Sequence, residues 1–260
     1  MLFRDFKVAL NWEIHKADPI LWSNEVLDYR PDPWAQEVMT SSARYVIENV
    51  SRQAGKSTCS ACMAVHQAVF FPGSLVLVVS PTLRQSGELQ RKAMNFYDKV
   101  DPLHKGLAED TKLSIQLTNG SRIIALPGHE DNLRGYSAPS LIIEDESARV
   151  SDELYIAVRP MLATNNARLI LLSTPNGMLG HFYKIWTEGG DEWLKIQVKA
   201  TEISRISKEF LDNERLNTTE SQFRQEFYGE FMEAKGAIFS SDLFRSLANP
   251  NITAMKMRGD

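Results

Sequence analysis

Apolar residues in this chain gather into short unbroken runs rather than alternating with polar ones. Leu75-Val76-Leu77-Val78-Val79, Ser140-Leu141-Ile142-Ile143 and Arg168-Leu169-Ile170-Leu171-Leu172 each carry an unbroken apolar run, the pattern of strands buried on both faces of a parallel sheet. Arg44-Tyr45-Val46-Ile47-Glu48-Asn49-Val50 and Leu194-Lys195-Ile196-Gln197-Val198 read as two more strands. Between them the sequence predicts helices over about 56–70, stopped by Pro72-Gly73, over 83–99, and near 152–161. Strands alternating with helices predict a doubly wound α/β core. Asn119-Gly120, flanked by Ser114-Ile115-Gln116-Leu117 and Arg122-Ile123-Ile124-Ala125-Leu126, predicts a β-hairpin inserted as an antiparallel element. After about residue 200 the pattern changes to two amphipathic helices, 208–216 and 220–231, with no strand between them. The expected organisation is therefore a core over 1–200, a small C-terminal helical lid subdomain over 201–235, and a linker over 236–260.

Composition narrows the class. At 260 residues with 43% hydrophobic and 24% charged content, the chain can bury a proper core and matches neither disordered nor fibrous proteins. Charges enter too early in Met1-Leu2-Phe3-Arg4-Asp5-Phe6-Lys7 for a secretory leader, and no apolar run is long enough to span a bilayer; a cytoplasmic enzyme is expected. The 29 basic against 33 acidic residues give a net charge of −4, so any nucleic-acid contact must be local. The two cysteines, Cys59 and Cys62, form C-x-x-C, but on one face of a helix and without two further ligands they read as small core residues rather than a zinc or redox pair.

The chemistry-bearing stretch is Val50-Ser51-Arg52-Gln53-Ala54-Gly55-Lys56-Ser57-Thr58. It follows a strand, opens a helix, and fits the phosphate-binding pattern G-x-x-x-x-G-K-[ST] except that Val50 stands where the first glycine is expected and Arg52 puts a charge inside the loop. A second motif, Glu144-Asp145-Glu146, ends an apolar strand. In nucleotide hydrolases such an aspartate helps to hold Mg²⁺ and the glutamate after it orients the attacking water; alone, acids after a strand are equally helix caps. A third, Ser173-Thr174-Pro175-Asn176-Gly177, also follows a strand, where open α/β sheets bind ligands, although Pro-Asn-Gly makes a turn unaided. Arg52 and Arg134 are candidates to place positive charge on a transition state, an effect of about 10³ to 10⁵ in rate. Gln36, in Pro33-Trp34-Ala35-Gln36, is a candidate reader of an adenine edge.

These residues, in this order, resemble the ATPase domain of a tailed-bacteriophage terminase large subunit, the motor that packages DNA into a prohead. Ser51-Arg52-Gln53-Ala54-Gly55-Lys56-Ser57 is similar to that family's variant loop without the leading glycine. Ser80-Pro81-Thr82, Asp131-Asn132-Leu133-Arg134-Gly135 and Ser173-Thr174-Pro175-Asn176-Gly177 resemble its second loop, its proposed trans-acting arginine segment and its coupling motif. Phe223-Arg224-Gln225-Glu226-Phe227 with Gly229-Glu230-Phe231 resembles its lid helix, and Ile238-Phe239 the start of the next domain. The resemblance covers about 32–239. It implies a P-loop NTPase of the ASCE type, an ATP site formed by Gln36 and Ser51 through Thr58, and Mg²⁺ on Ser57 and Asp145. Lys56 and Glu146 would be catalytic, Arg52 and Arg134 sensor and finger, and Thr174 the coupling residue. Implied partners are double-stranded DNA, further copies of the chain in a ring (a pentamer in the family), the portal protein and the terminase small subunit, with work done in the host cytoplasm on the prohead and no membrane involved. The family's large subunits also carry an RNase H-like nuclease, and nuclease activity is not expected of the residues present here. Two other readings stand beside this one. Asp-Glu and Ser-Thr-Pro also resemble superfamily 2 helicase motifs, but only one motor core is visible. A nucleotide-gated interaction module would not need the carboxylate of Glu146.

Overall fold

The apolar runs become the middle strands of one sheet. The computed structural model describes residues 2–128, 133 and 135–233. Three helices come first: α1 (Leu2–Ala17), α2 (Pro19–Glu25) and α3 (Pro33–Thr40). Proline opens both α2 and α3, where its fixed φ suits the first helical turn and its missing N–H costs nothing. The strands are β1 (Tyr45–Val50), β2 (Leu75–Ser80), β3 (Leu107–Thr111), β4 (Ser114–Leu117), β5 (Arg122–Pro127), β6 (Leu141–Asp145), β7 (Arg168–Ser173) and β8 (Trp193–Val198). They lie side by side in the order β3-β4-β5-β2-β6-β7-β1-β8. From β5 to β8 every neighbouring pair is parallel, while β4 pairs antiparallel with both β3 and β5. β7 stands between the strand that leads into the loop and the strand that ends in carboxylates, which is the ASCE arrangement.

Alternation along each strand divides the apolar residues between two faces. Val46, Val78, Ile143 and Ile170 meet α4 (Lys56–Phe70) and α5 (Leu83–Val100) on one face. Ile47, Leu77, Ile142, Leu169 and Leu171 meet α6 (Asp152–Val158) and α8 (Gly180–Glu188) on the other, α7 (Met161–Asn165) lying between those two helices in sequence. Each fully buried Leu or Ile contributes about 1.5–3 kcal/mol, so this two-sided sandwich fixes the register of the sheet. Parallel pairing then brings strand ends together: Asn49 lies opposite Ser173, and Asp145 opposite Leu172. Cys59 and Cys62 are unpaired and buried in α4, where burial raises both thiols well above their ordinary pKa, as small core residues should behave. Beyond β8, α9 (Lys208–Asn217) and α10 (Glu220–Tyr228) pack around a separate cluster of Ala200, Leu211, Phe223 and Phe227.

Three expectations change in detail, and one strand is added. The hairpin at Asn119-Gly120 forms, but β5 also pairs in parallel with β2 from Leu75↔Arg122 to Ser80↔Pro127, so it belongs to the main sheet rather than to an insertion. The helix expected over 152–161 breaks into α6 and α7 around Pro160, since proline lacks the donor a continuous helix needs. The last helix stops at Tyr228 because Gly229 caps it with φ +67. β3 was not foreseen. The segments expected as linker and next-domain start, 236–260, lie outside the described residues, and among those described no helix is long and apolar enough to cross a membrane.

Candidate functional site

β1 delivers the phosphate loop and α4 receives it. Gln53 and Gly55 both take left-handed conformations, φ 61 and 87, which turns successive N–H groups toward one concavity and leaves the N-terminus of α4 aimed at it. At Gly55 that backbone conformation disfavours any other residue, and a Cβ would lie 3.1 Å from Arg205 Nη2. Arg205 donates to the Gln53 carbonyl at 3.3 Å and pairs with Asp32 at 2.6 Å, tying α3 and the segment before α9 to the loop. Lys56 is buried, and its Nζ donates to the carbonyls of Val50 at 2.7 Å and Ser51 at 3.0 Å. Burial pulls its pKa below the ordinary lysine value, against the nearby charges of Glu146, Asp145, Glu48 and Glu226.

β6 brings the acids. Ser57 Oγ, in the first turn of α4, donates to Asp145 Oδ2 at 3.5 Å. Burial first, and the Glu146 charge second, push the Asp145 carboxyl up to about 6, the behaviour of an acid placed to meet a cation. A hydroxyl and a carboxylate suit Mg²⁺, which keeps most of its shell for water and phosphate oxygens. Among the described residues there is no group of three or more His, Cys, Asp or Glu side chains that could hold a metal ion. The next residue, Glu146, sits in the left-handed region at φ 55, ψ 40, and its N–H donates to Asp145 Oδ1 at 3.1 Å. Glu144 points away: on the opposite face of β6 it meets Ser147 and His181, so Asp145 and Glu146 are the acids beside the loop.

A cleft of about 410 Å³ is lined by the loop from Arg52 to Thr58 together with Gln85, Lys92, Glu146 and Arg149. A larger groove of about 820 Å³ between α5 and the β3–β4 turn holds none of the motif residues. Arg149 was not singled out from the sequence, yet it joins three motifs. Its guanidinium donates to Glu146 Oε2 at 2.8 Å, to Thr174 Oγ1 at 3.3 Å and to Glu226 Oε1 of α10 at 3.5 Å. Glu226 in turn accepts from Arg52 Nε at 2.5 Å, while its backbone carbonyl accepts from the Arg52 N–H. Thr174, buried, is thereby linked to Glu146 through one side chain. Ser51 is buried beneath the loop. Gln36 is not among the cleft residues; its amide donates to the Pro31 carbonyl at 2.9 Å. Arg134 lies outside the described residues. Arg149, Glu226, Arg205 and Lys92 are charged residues on helices or loops, and only their meeting in space distinguishes them from solvated surface.

Comparisons with known proteins bear on the family and the fold. The family model described as terminase large subunit, T4likevirus-type, N-terminal, matches residues 48–246. The terminase large subunit of Thermus phage G20c is 24% identical over 253 residues, covering 83% of this chain and 52% of that protein. The terminase large subunit of Escherichia phage T5 is 28% identical over 209 residues, covering 76% and 46%; the chain spans about half the length of these curated relatives. Among solved structures, the large terminase ATPase domain of Thermus phage P74-26 superposes with a TM-score of 0.72 at 21% identity, covering 80% of this chain and 96% of that one. The large terminase from a thermophilic bacteriophage, in complex with ADP, gives 0.60 at 14% identity, covering 77% and 53%.

Proposed function

This chain belongs to the terminase large-subunit family, matching its T4-like N-terminal region, and from that premise we propose that it is an ATP-hydrolysing motor domain driving double-stranded DNA into a viral prohead. One observation carries the reading: Lys56, Ser57 and Glu146 line a single cleft at the ends of parallel strands, and Asp145 meets Ser57 beside it. The loop N–H groups and the N-terminus of α4 receive the ATP phosphates, and Lys56 exchanges its two carbonyl partners for phosphate oxygens. Mg²⁺, held by Ser57 and Asp145, supplies charge neutralisation across the phosphates when bound. Glu146 orients the attacking water and accepts its proton, which requires its carboxylate to share or leave the bond to Arg149. Arg52 serves as a sensor of the phosphates, and Arg134 serves as a finger acting on the neighbouring copy in a ring, a pentamer as in the family. Thr174 relays the state of Glu146 through Arg149, and α9 with α10 forms a lid whose Glu226 answers to Arg52. The organisation is a core over 1–200, a lid over 201–235 and a linker over 236–260. The portal protein and the terminase small subunit are the proposed protein partners, on proheads in the host cytoplasm.

The test is ATP turnover by the purified chain with and without double-stranded DNA. The reading expects measurable hydrolysis that DNA accelerates and that Lys56→Ala removes. Saturable ATP binding with no turnover, with DNA and with assembled copies present, argues instead for a nucleotide-gated module. For the finger, mixing Arg134→Ala with Glu146→Ala subunits should restore part of the activity that each lacks alone; no rescue under assembling conditions rejects a trans role.

A further inference from the structure

Glu144, the additional acid before Asp145, has a use on the other face of the sheet. It is fully buried, and its Oε1 accepts from Ser147 Oγ at 2.6 Å and lies 2.6 Å from His181 Nε2. The other ring nitrogen, Nδ1, is 3.0 Å from Asp152 Oδ1, which also accepts the His181 backbone N–H at 2.7 Å. A ring with a carboxylate at each nitrogen donates from both and carries a positive charge. Burial works against that charge, yet the bonds and charges of Glu144 and Asp152 together hold the His181 pKa above its ordinary value. Tyr155 stacks on the ring at 4.6 Å and 6°.

The cluster sits behind the reacting groups. Glu146 is a non-glycine residue in the left-handed region, a conformation that persists only where neighbours over-determine it. The three residues after it form a 3₁₀ turn, Ser147–Arg149, and each is gripped by the segment that begins with the Thr174 motif. Ser147 meets His181 at 3.1 Å, the Ala148 carbonyl accepts from Asn176 Nδ2 at 3.4 Å, and Arg149 donates to Thr174. His181 is the second residue of α8, whose Phe182, Tyr183 and Trp186 pack on Phe231. We infer that His181, clamped between Glu144 and Asp152 and touching Ser147, is a positioning residue that fixes the strained backbone of Glu146 and binds it to the Thr174 segment. The inference rests on the proposed ATPase reading and adds a role on the sheet face opposite the nucleotide.

Removing His181 alone would take the ring cation from the buried Glu144 carboxylate and leave it the Ser147 hydroxyl, and the chain could fail to fold. The decisive variant replaces the whole polar cluster by apolar residues of similar volume, Glu144→Met/Ser147→Ala/His181→Phe, with Ser147→Ala as a milder companion. Melting midpoint, ADP affinity and the kcat for ATP are measured for each against the parent and Glu146→Ala. The clamp predicts that the triple variant stays folded, keeps ADP affinity within about twofold, and loses kcat by about tenfold or more, while Ser147→Ala loses about threefold. A folded triple variant with parental kcat overturns the inference and leaves the ATPase reading intact. If the triple variant does not fold, unchanged kcat in Ser147→Ala overturns it by itself. Parental turnover in Glu146→Ala overturns both.

Discussion

Replacing Gly229 by alanine should damage the chain in two separable ways. Gly229 has φ +67, and a Cβ there would lie 2.8 Å from Asn49 Oδ1, 3.2 Å from its Cγ and 3.3 Å from its Nδ2. Asn49 is fully buried at the end of β1, and its Nδ2 donates to the Gly229 carbonyl at 2.7 Å. The left-handed conformation costs an alanine about 1–2 kcal/mol. Displacing Asn49 leaves that buried carbonyl unpaired, a further loss of about 1–3 kcal/mol. The sum, about 3 kcal/mol, corresponds to a fall of roughly 6–12 °C in melting midpoint for a chain of this size. In an Asn49→Ala background the clash and the hydrogen bond are already gone, so Gly229→Ala should cost only the conformational part, about 1–2 kcal/mol. Four thermal melts, of parent, both single variants and the double, give the coupling directly. Equal costs of Gly229→Ala in both backgrounds would refute the contact, and a cost near zero would refute the backbone argument too. The contact matters because it anchors the end of α10, the helix whose Glu226 meets Arg52 and Arg149.

Two further outcomes follow from the charges around the loop. Burial, opposed by Lys56 and Arg168, pushes the Glu48 carboxyl on β1 up to about 8. Because the folded value lies above the unfolded one, this acid costs nothing below about 4.5, and its cost grows as pH rises through about 8. Glu48→Gln should therefore raise the melting midpoint at pH 8.5 more than at pH 5, and a gap that does not widen with pH contradicts that assignment. Arg52 is 60% exposed where it pairs with Glu226, so Arg52→Ala should change stability by at most about 1 kcal/mol. Its proposed sensing role predicts a loss of ATP turnover far larger than that, and unchanged turnover would reduce Arg52 to a surface ion pair.

The parts legible in the sequence were those written in local pattern. The apolar runs of β2, β6 and β7 and the loop from Ser51 to Thr58 could be read because each signal lies within ten residues. The helix boundary at Thr82, whose side chain accepts from the Gln85 N–H, follows the same logic. β3 was missed because Leu107-Ala108-Glu109-Asp110-Thr111 has an almost wholly exposed edge strand's composition, and charges at an edge deter further pairing rather than signal a strand. The helices α1 and α2 carry no motif, α3 carries only the stretch around Gln36, and α2 is only seven residues long. Arg149 and Glu226 meet across 77 positions of sequence, so no window could join them. Glu144 carried a usable sign, since Ile143 and Asp145 share one face of β6 while Ile142 and Glu144 share the other. Which face held the loop was settled only by the packing of α4.

In the proposed function Glu146 does chemistry in a site that Lys56 and the loop build for ATP. The most direct test of that role measures ATP binding and ATP turnover side by side in parent and Glu146→Gln. The account predicts binding within a fewfold of the parent and turnover lowered by about 10² or more. Turnover near the parental rate with binding intact would contradict it.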